Sequence, residues 1–215
     1  MLVLAIDTST STIVTGVVRD GETLSERILV DSGLHNEELV PQIQQVLCEA
    51  DANFSDITAV VVGCGPGLFT GLRVGMATGA AIGDALGVPV FGVCSLDAIA
   101  RRIDAANVLV TVDARRREVF WARYNNGECI AGPGVDAPSV LVEAADVVNV
   151  PEYLAAQIPA AGKRTYLCPT PASLVSCADF SSTPGPLVAQ YLRRPDVKEP
   201  KQKPKSPAIP DVELD

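Results

Sequence analysis

Gly63-Cys64-Gly65-Pro66-Gly67-Leu68-Phe69-Thr70-Gly71-Leu72-Arg73-Val74-Gly75, continued by glycines at 79, 83 and 87, decides the fold class of this chain. An apolar strand leaves through a Gly-Pro-Gly turn into a helical run in which glycine recurs every fourth residue. Each interior Gly weakens a helix by ~1 kcal/mol relative to Ala, so positions 71, 75, 79 and 83 together cost on the order of 4 kcal/mol. Close packing against another backbone must offset that cost. Spacing of four keeps the glycines on one ridge, and the other faces carry Leu72, Val74, Met76, Ala77, Ala80, Ala81, Ile82, Ala85 and Leu86. A helix apolar nearly all round is buried on more than one side, so the ridge is expected to meet another helix or a sheet.

Two other readings of this stretch fail on their own chemistry. A P-loop needs Lys-Ser or Lys-Thr after its glycines, and none follows here. A membrane span needs about 20 continuous apolar residues, and Asp84 and Pro89 interrupt the run. The segment therefore reads as soluble core or interface.

The chain's 215 residues suffice for two small lobes, each with a core. A formal charge of -9 argues against autonomous nucleic-acid binding, which needs a basic footprint. Six cysteines without a Cys-x-x-Cys pair read as reduced, buried thiols of a cytoplasmic protein. The apolar start, residues 1–6, is too short for a signal peptide.

The pattern around the opening stretch is a strand at 2–6, a polar turn at 7–12, a second strand at 13–18, a third near 24–30 and a helix from about 36 to 50. Pro41 either lies in that helix's first turn or kinks it. Strand 57–63, the Gly helix, strand 88–93 and a short helix to about 103 follow. Then the pattern restarts: apolar 108–112, Asp113, a turn at 114–117, and strand 119–124. Asp7 and Asp113 occupy equivalent places, which predicts a lobe at 1–103 and a duplicated lobe at 104–194. Residues 131–186 are Pro-rich and promise only short elements. The tail, 195–215, carries four of the five lysines among prolines and acids and reads as disordered.

Catalytic chemistry is hard to find. His35 is the only histidine, which removes His-x-x-x-His metal sites. A Ser95, His35 and Asp97 triad lacks a nucleophile elbow. Arg115, Arg116 and Arg117 with Glu118 are the densest charge cluster, read either as a solvated turn or as a surface for a partner or an RNA phosphate.

The repeated strand-Asp-turn-strand resembles the actin-like ATPase superfamily, which holds nucleotide phosphates between two lobes. There a Gly stands two residues after each Asp, so that the backbone can approach the phosphate. Here those positions are Ser9 and Arg115. The resemblance implies a two-lobed α/β fold with a degenerate nucleotide site at Asp7, Ser9, Asp113 and Arg115, and a small ATPase or kinase is the first alternative.

The runs Asp7-Thr8-Ser9, His35 to Ile43, Gly65-Pro66-Gly67-Leu68-Phe69-Thr70-Gly71-Leu72-Arg73-Val74-Gly75, Gly87-Val88-Pro89, Asp113-Ala114-Arg115-Arg116-Arg117-Glu118-Val119 and Tyr191-Leu192-Arg193 are together similar to the TsaB (YeaZ) family. That family supplies the dimerization subunit of the bacterial machinery making threonylcarbamoyladenosine in tRNA, next to the anticodon. Its catalytic relative, TsaD, carries a His-x-x-x-His motif that falls here on Ser95 and Ile99. A peptidase label has long been attached to this superfamily branch and is the second alternative. The resemblance implies a non-catalytic subunit with no metal and no cofactor of its own. It also implies tRNA contact only through the complex, a TsaD-type catalytic partner, a small TsaE-type ATPase, a homodimer when alone, and no membrane. By this reading the two helices at about 36–50 and 68–86 pair with the catalytic subunit, and the interface residues are Leu39, Ile43, Val46, Leu47, Leu72, Gly75, Met76, Gly79, Ile82 and Gly83.

Overall fold

Alternating burial along the first strand organises the first lobe. In β1 (Leu2–Asp7), Leu2, Leu4 and Ile6 enter one apolar cluster while Val3 and Ala5 enter another, so the strand is covered on both faces. The computed structural model describes residues 1–30 and 35–193; the tail at 195–215 and the His35 side chain lie outside the described residues. β2 (Ile13–Arg19) and β3 (Glu22–Leu29) continue as an antiparallel meander, while β4 (Ala59–Gly63) and β5 (Val90–Val93) add in parallel. The sheet order is β3-β2-β1-β4-β5.

The second lobe repeats that plan. β6 (Asn107–Asp113), β7 (Val119–Asn125) and β8 (Glu128–Asp136) form the meander; β9 (Val147–Asn149) and β10 (Lys163–Thr165) add in parallel. Its order, β8-β7-β6-β9-β10, is the first sheet's order strand for strand. The expected two-lobed, actin-like α/β fold is therefore present, with the duplication visible in topology.

One face of the first sheet carries α1 (His35–Glu49) and α2 (Phe69–Leu86). Pro41 lies inside α1 on its solvent side, where the carbonyl it leaves unpaired can bond to water. Gly87 ends α2 in the left-handed conformation, φ 67°, bonding back to Asp84 and Gly83. The Gly ridge faces the chain's own sheet: a Cβ on Gly79 would lie 2.4 Å from Val62 Cγ2, and one on Gly83 2.1 Å from Val90 Cγ2.

The opposite face is covered by α3 (Ser95–Ala100) and by α5 (Pro171–Ser176), whose Leu174 and Val175 pack on Val3, Ala5 and Val61. α3 also packs against β6 and β7, joining the lobes through Leu96 and Ile99. α4 (Glu152–Ala155) stays with the second lobe through Leu154. α5, from the stretch assigned to 104–194, thus returns to cover the first sheet. β8, nine residues long, also exceeds the short elements expected after 131. It is an edge strand, where Pro133 removes no ladder bond that the sheet needs. All six cysteines are free, but Cys48 and Cys129 are exposed rather than buried.

Candidate functional site

Asp7 ends β1 and turns the chain with an Asx bond, its Oδ1 accepting from Ser9 N at 2.7 Å. The Gly-Pro-Gly turn then closes over this carboxylate. Leu68 N donates to Ser9 O at 2.9 Å and Ser95 N to Gly65 O at 2.8 Å. A Cβ on Gly67 would fall 2.1 Å from Ser9 O, and one on Gly63 2.1 Å from Asp7 Oδ2. Thr8 Oγ1 donates to Gly71 O at 2.7 Å, and a Cβ on Gly75 would meet that hydroxyl at 2.3 Å. The glycines are thus required where the Asp7 turn touches backbone.

Asp7 is 2% exposed. Burial pushes its carboxyl above the ordinary carboxylate range, and the nearby Ser95 and Ser9 groups oppose this only in part. Asp7 Oδ2, Ser9 Oγ and Ser95 Oγ are all buried without a hydrogen-bond partner of good geometry. Burial and the Asp7 charge also push the adjacent Cys64 thiol up to about 11.

Asp113 repeats the Asx bond, Oδ1 accepting from Arg115 N at 2.7 Å, but in the open. Its other oxygen lies 3.2 Å from Arg115 Nη1. Arg115, Arg116 and Arg117 all have left-handed backbones, φ 62°, 56° and 63°. Arg115 therefore keeps the conformation that a glycine would adopt at that place. Each such residue costs about 1–2 kcal/mol, so the turn needs outside support. Ala114 N donates to Glu118 O at 3.0 Å, and Arg193 donates to Ala114 O at 2.8 Å and Arg115 O at 3.3 Å while pairing with Glu118.

Thr10, Ser11 and Leu68 from the first lobe, with Asp113, Arg115 and Tyr153 from the second, surround a cleft of ≈ 220 Å³. Asp113 and Arg115 line this cleft and Asp7 and Ser9 do not, and the Ser9 and Arg115 amides are already spent on the two aspartates. The segment 191–193 ties the start of α2 in the first lobe to the arginine turn of the second. Tyr191 packs on Phe69 at 5.2 Å between ring centroids and accepts from Arg73 Nε at 3.1 Å, Leu192 packs in the second lobe, and Arg193 holds the arginine turn. Sequence reading gave 191–193 a place in the family resemblance but no structural task; its local signal was an aromatic, apolar and basic triplet before the Pro-rich tail.

The alternative triad does not assemble around a reactive serine, since Ser95 is 1% exposed and Asp97 accepts from Tyr124 Oη at 2.7 Å. Ile99 is core, and among the described residues no three His, Cys, Asp or Glu side chains gather as metal ligands. Among the described residues no helix is long and apolar enough to cross a membrane. The expected interface residues mostly face the lobe's own core. Leu39, Ile43, Val46, Leu47, Leu72, Gly75, Gly79 and Gly83 are buried in the lobe itself, and only Met76 and Ile82 are half-buried. An amphipathic helix on one sheet spends its apolar stripe there. α1 and α2 present Val40, Pro41, Gln44, Ala77, Ala80, Ala81 and Ala85 to solvent alongside polar and charged residues that include Glu37, Gln45, Glu49, Arg73 and Asp84.

Comparison with known proteins places these features in a lineage. A family model described as TsaD, tRNA N6-adenosine threonylcarbamoyltransferase, matches residues 28–184. An uncharacterized protein of Mycobacterium leprae is 51% identical over 204 residues, covering 92% of this chain and 56% of that protein. The tRNA threonylcarbamoyladenosine biosynthesis protein TsaB of Escherichia coli is 36% identical over 145 residues, 66% of this chain and 62% of that protein. The chain thus spans less than two thirds of the length of either relative. YeaZ from Pseudomonas aeruginosa superposes with a TM-score of 0.72 at 27% identity, over 82% of this chain and 89% of that one.

Proposed function

The chain belongs to the TsaB (YeaZ) family, and on that premise we propose that it is a non-catalytic subunit of the machinery that makes threonylcarbamoyladenosine in tRNA. Its task is to hold a TsaD-type catalytic subunit in an active arrangement, with a small TsaE-type ATPase joining the same complex in the cytoplasm. tRNA reaches it only within that complex.

The observation that carries this reading is the state of the two phosphate turns. In each, the amide two residues after the aspartate donates to that aspartate, at 2.7 Å in both lobes, so neither turn offers it to a nucleotide phosphate. The surface left to do work is the outer face of α1 and α2, where small alanines allow another helix pair to approach closely. Left uncovered, the same face supports a homodimer.

Co-expression with the catalytic subunit of the same organism, followed by size-exclusion chromatography, tests the proposal. A stable complex is expected. Ala80→Glu, at an exposed position, should abolish co-elution while leaving the melting temperature of the chain within a few degrees. Threonylcarbamoyl transfer by the catalytic subunit should require the wild-type chain. Transfer at full rate without the chain, or ATP hydrolysis by the chain alone, would refute the assignment.

A further inference from the structure

Next to Leu68 and Arg115, which line the cleft, the surface gathers charge and aromatic side chains that the scaffold role does not use. Arg73 lies over the Phe69 ring at 3.8 Å, and Tyr191 packs against Phe69 at 5.2 Å between ring centroids while accepting from Arg73 Nε. Phe69 and Tyr191 are each 39% exposed. Two residues beyond Tyr191, Arg193 fastens the turn that displays Arg115, Arg116 and Arg117 to solvent. Five of the chain's 17 basic residues therefore meet on one rim of a protein whose formal charge is -9. Among the described residues the carboxylates that the ion pairs and the cleft lining place beside them are Asp113 and Glu118, paired to Arg115 and Arg193, and Glu152 in the cleft wall.

We propose that this rim, formed by Phe69, Arg73 and Tyr191 beside the 115–117 turn, is an RNA-docking surface that contacts tRNA in the assembled complex. Guanidiniums neutralise backbone phosphates, and half-exposed ring faces already stacked with a guanidinium offer a platform for an unpaired base. An acidic protein partner would draw on the charge alone and leave the aromatic pair without a role. The strained turn fits this use: three consecutive left-handed arginines persist because Arg193 and Glu118 hold them, which keeps their side chains clustered on an element that cannot relax into an ordinary hairpin. The tRNA identity of the ligand rests on the function proposed above; the placement of the surface rests on its own geometry. The overall negative charge fits weak binding by the chain alone, with the complex supplying the remaining contacts.

The test uses a tRNA transcript and two double variants, Arg116→Gly with Arg117→Gly, and Arg116→Lys with Arg117→Lys. Glycine suits the left-handed backbone and removes charge; lysine keeps charge. In the complex with the catalytic subunit, the glycine pair should weaken tRNA binding at least about tenfold and lower the slope of log affinity against log salt by about 1.5. The lysine pair should keep most of the slope, and both variants should assemble and melt no lower than the parent. Phe69→Ala should weaken binding with the salt slope unchanged. Zero-length photo-crosslinking of the same transcript to the full chain alone gives a second readout, with crosslinked peptides expected at 69–73, 115–117 and 191–193. Unchanged affinity and slope in the glycine pair, or crosslinks that map elsewhere, would overturn the surface. Failure of the chain to join the catalytic subunit would sink the scaffold reading instead, and the crosslinks would then decide the surface alone.

Discussion

The turn at Asp7 and the turn at Asp113 start from the same topology and reach opposite states. Both follow the first strand of a sheet ordered 3-2-1-4-5 within its lobe, and both use the same Asx bond at 2.7 Å. The first is roofed by the Gly-Pro-Gly turn and Ser95 and buried, and among the described residues no cation influences its carboxylate. The second is open, ion-paired and held from outside by Arg193. Strand pairing fixes where an aspartate sits, whereas the loops laid over it fix what that aspartate can do.

The comparison breaks most violently at Gly67. A Cβ there meets Ser9 carbonyl, carbon and Cα atoms at 2.1 to 2.8 Å, all of them backbone. Gly67→Ala should destabilise the chain by about 3 kcal/mol, at the upper end of overpacking costs, read as a fall in urea midpoint. Gly185→Ala, where a Cβ meets nothing within 4 Å, is the control and should change stability by less than about 0.5 kcal/mol. An equal effect at both sites would mean that the roof over Asp7 is not tightly closed.

A second difference is electrostatic. The folded state raises the Asp7 carboxyl, so between the unfolded value and the folded one the native chain holds a proton that the unfolded chain has lost. Stability from this group is fully present below the unfolded value, declines as pH rises toward the folded one, and is level beyond it. Within that window the slope approaches about 1.4 kcal/mol per pH unit. Asp7→Asn keeps an acceptor for Ser9 N and abolishes the decline, so denaturation curves of variant and parent should diverge in the variant's favour as pH rises from 4. Parallel curves would mean that Asp7 is ionised in the fold.

On the open side the effect is smaller. Arg193→Ala removes two hydrogen bonds to the carbonyls of Ala114 and Arg115 and the pair with Glu118, at a site only 26% exposed. A loss of about 1–2 kcal/mol is expected, with hydrogen exchange rising first at the amides of Ala114 and Glu118. Loss of stability with no local change in exchange would place the Arg193 contribution elsewhere.

Much of this contrast was legible from residue order. The strand-Asp-turn-strand repeat, the two lobes, the long Gly helix and its Gly87 cap follow from patterning. The side on which the ridge packs did not follow, because Ala77, Ala80, Ala81 and Ala85 make the opposite face equally small and apolar, and periodicity cannot tell a sheet beneath from a partner above. The return of α5 was hidden by its six-residue length in a Pro-rich stretch. β8 was hidden by Gly132, Pro133 and Gly134, which an edge strand tolerates and a central one does not. Arg193 reaching back 79 residues to Ala114 is a product of folding that no local signal carries.

The finest test bears on whether the Arg117 backbone is strained by its own side chain. At φ 63° a Cβ crowds the following carbonyl, a cost that glycine lacks. Arg117→Gly removes about 1–2 kcal/mol of that strain but makes the unfolded chain freer, which costs about 0.4–1 kcal/mol. The net expectation is a small gain, about 0.5 kcal/mol, at a position where replacing arginine by glycine in an ordinary hairpin would weaken it. Arg117→Ala, which deletes the guanidinium and keeps the Cβ, separates the two contributions and should bring no gain. If alanine and glycine behave alike in chemical denaturation, the arginine turn is not paying for its shape, and the contrast with the roofed Asp7 turn reduces to exposure alone.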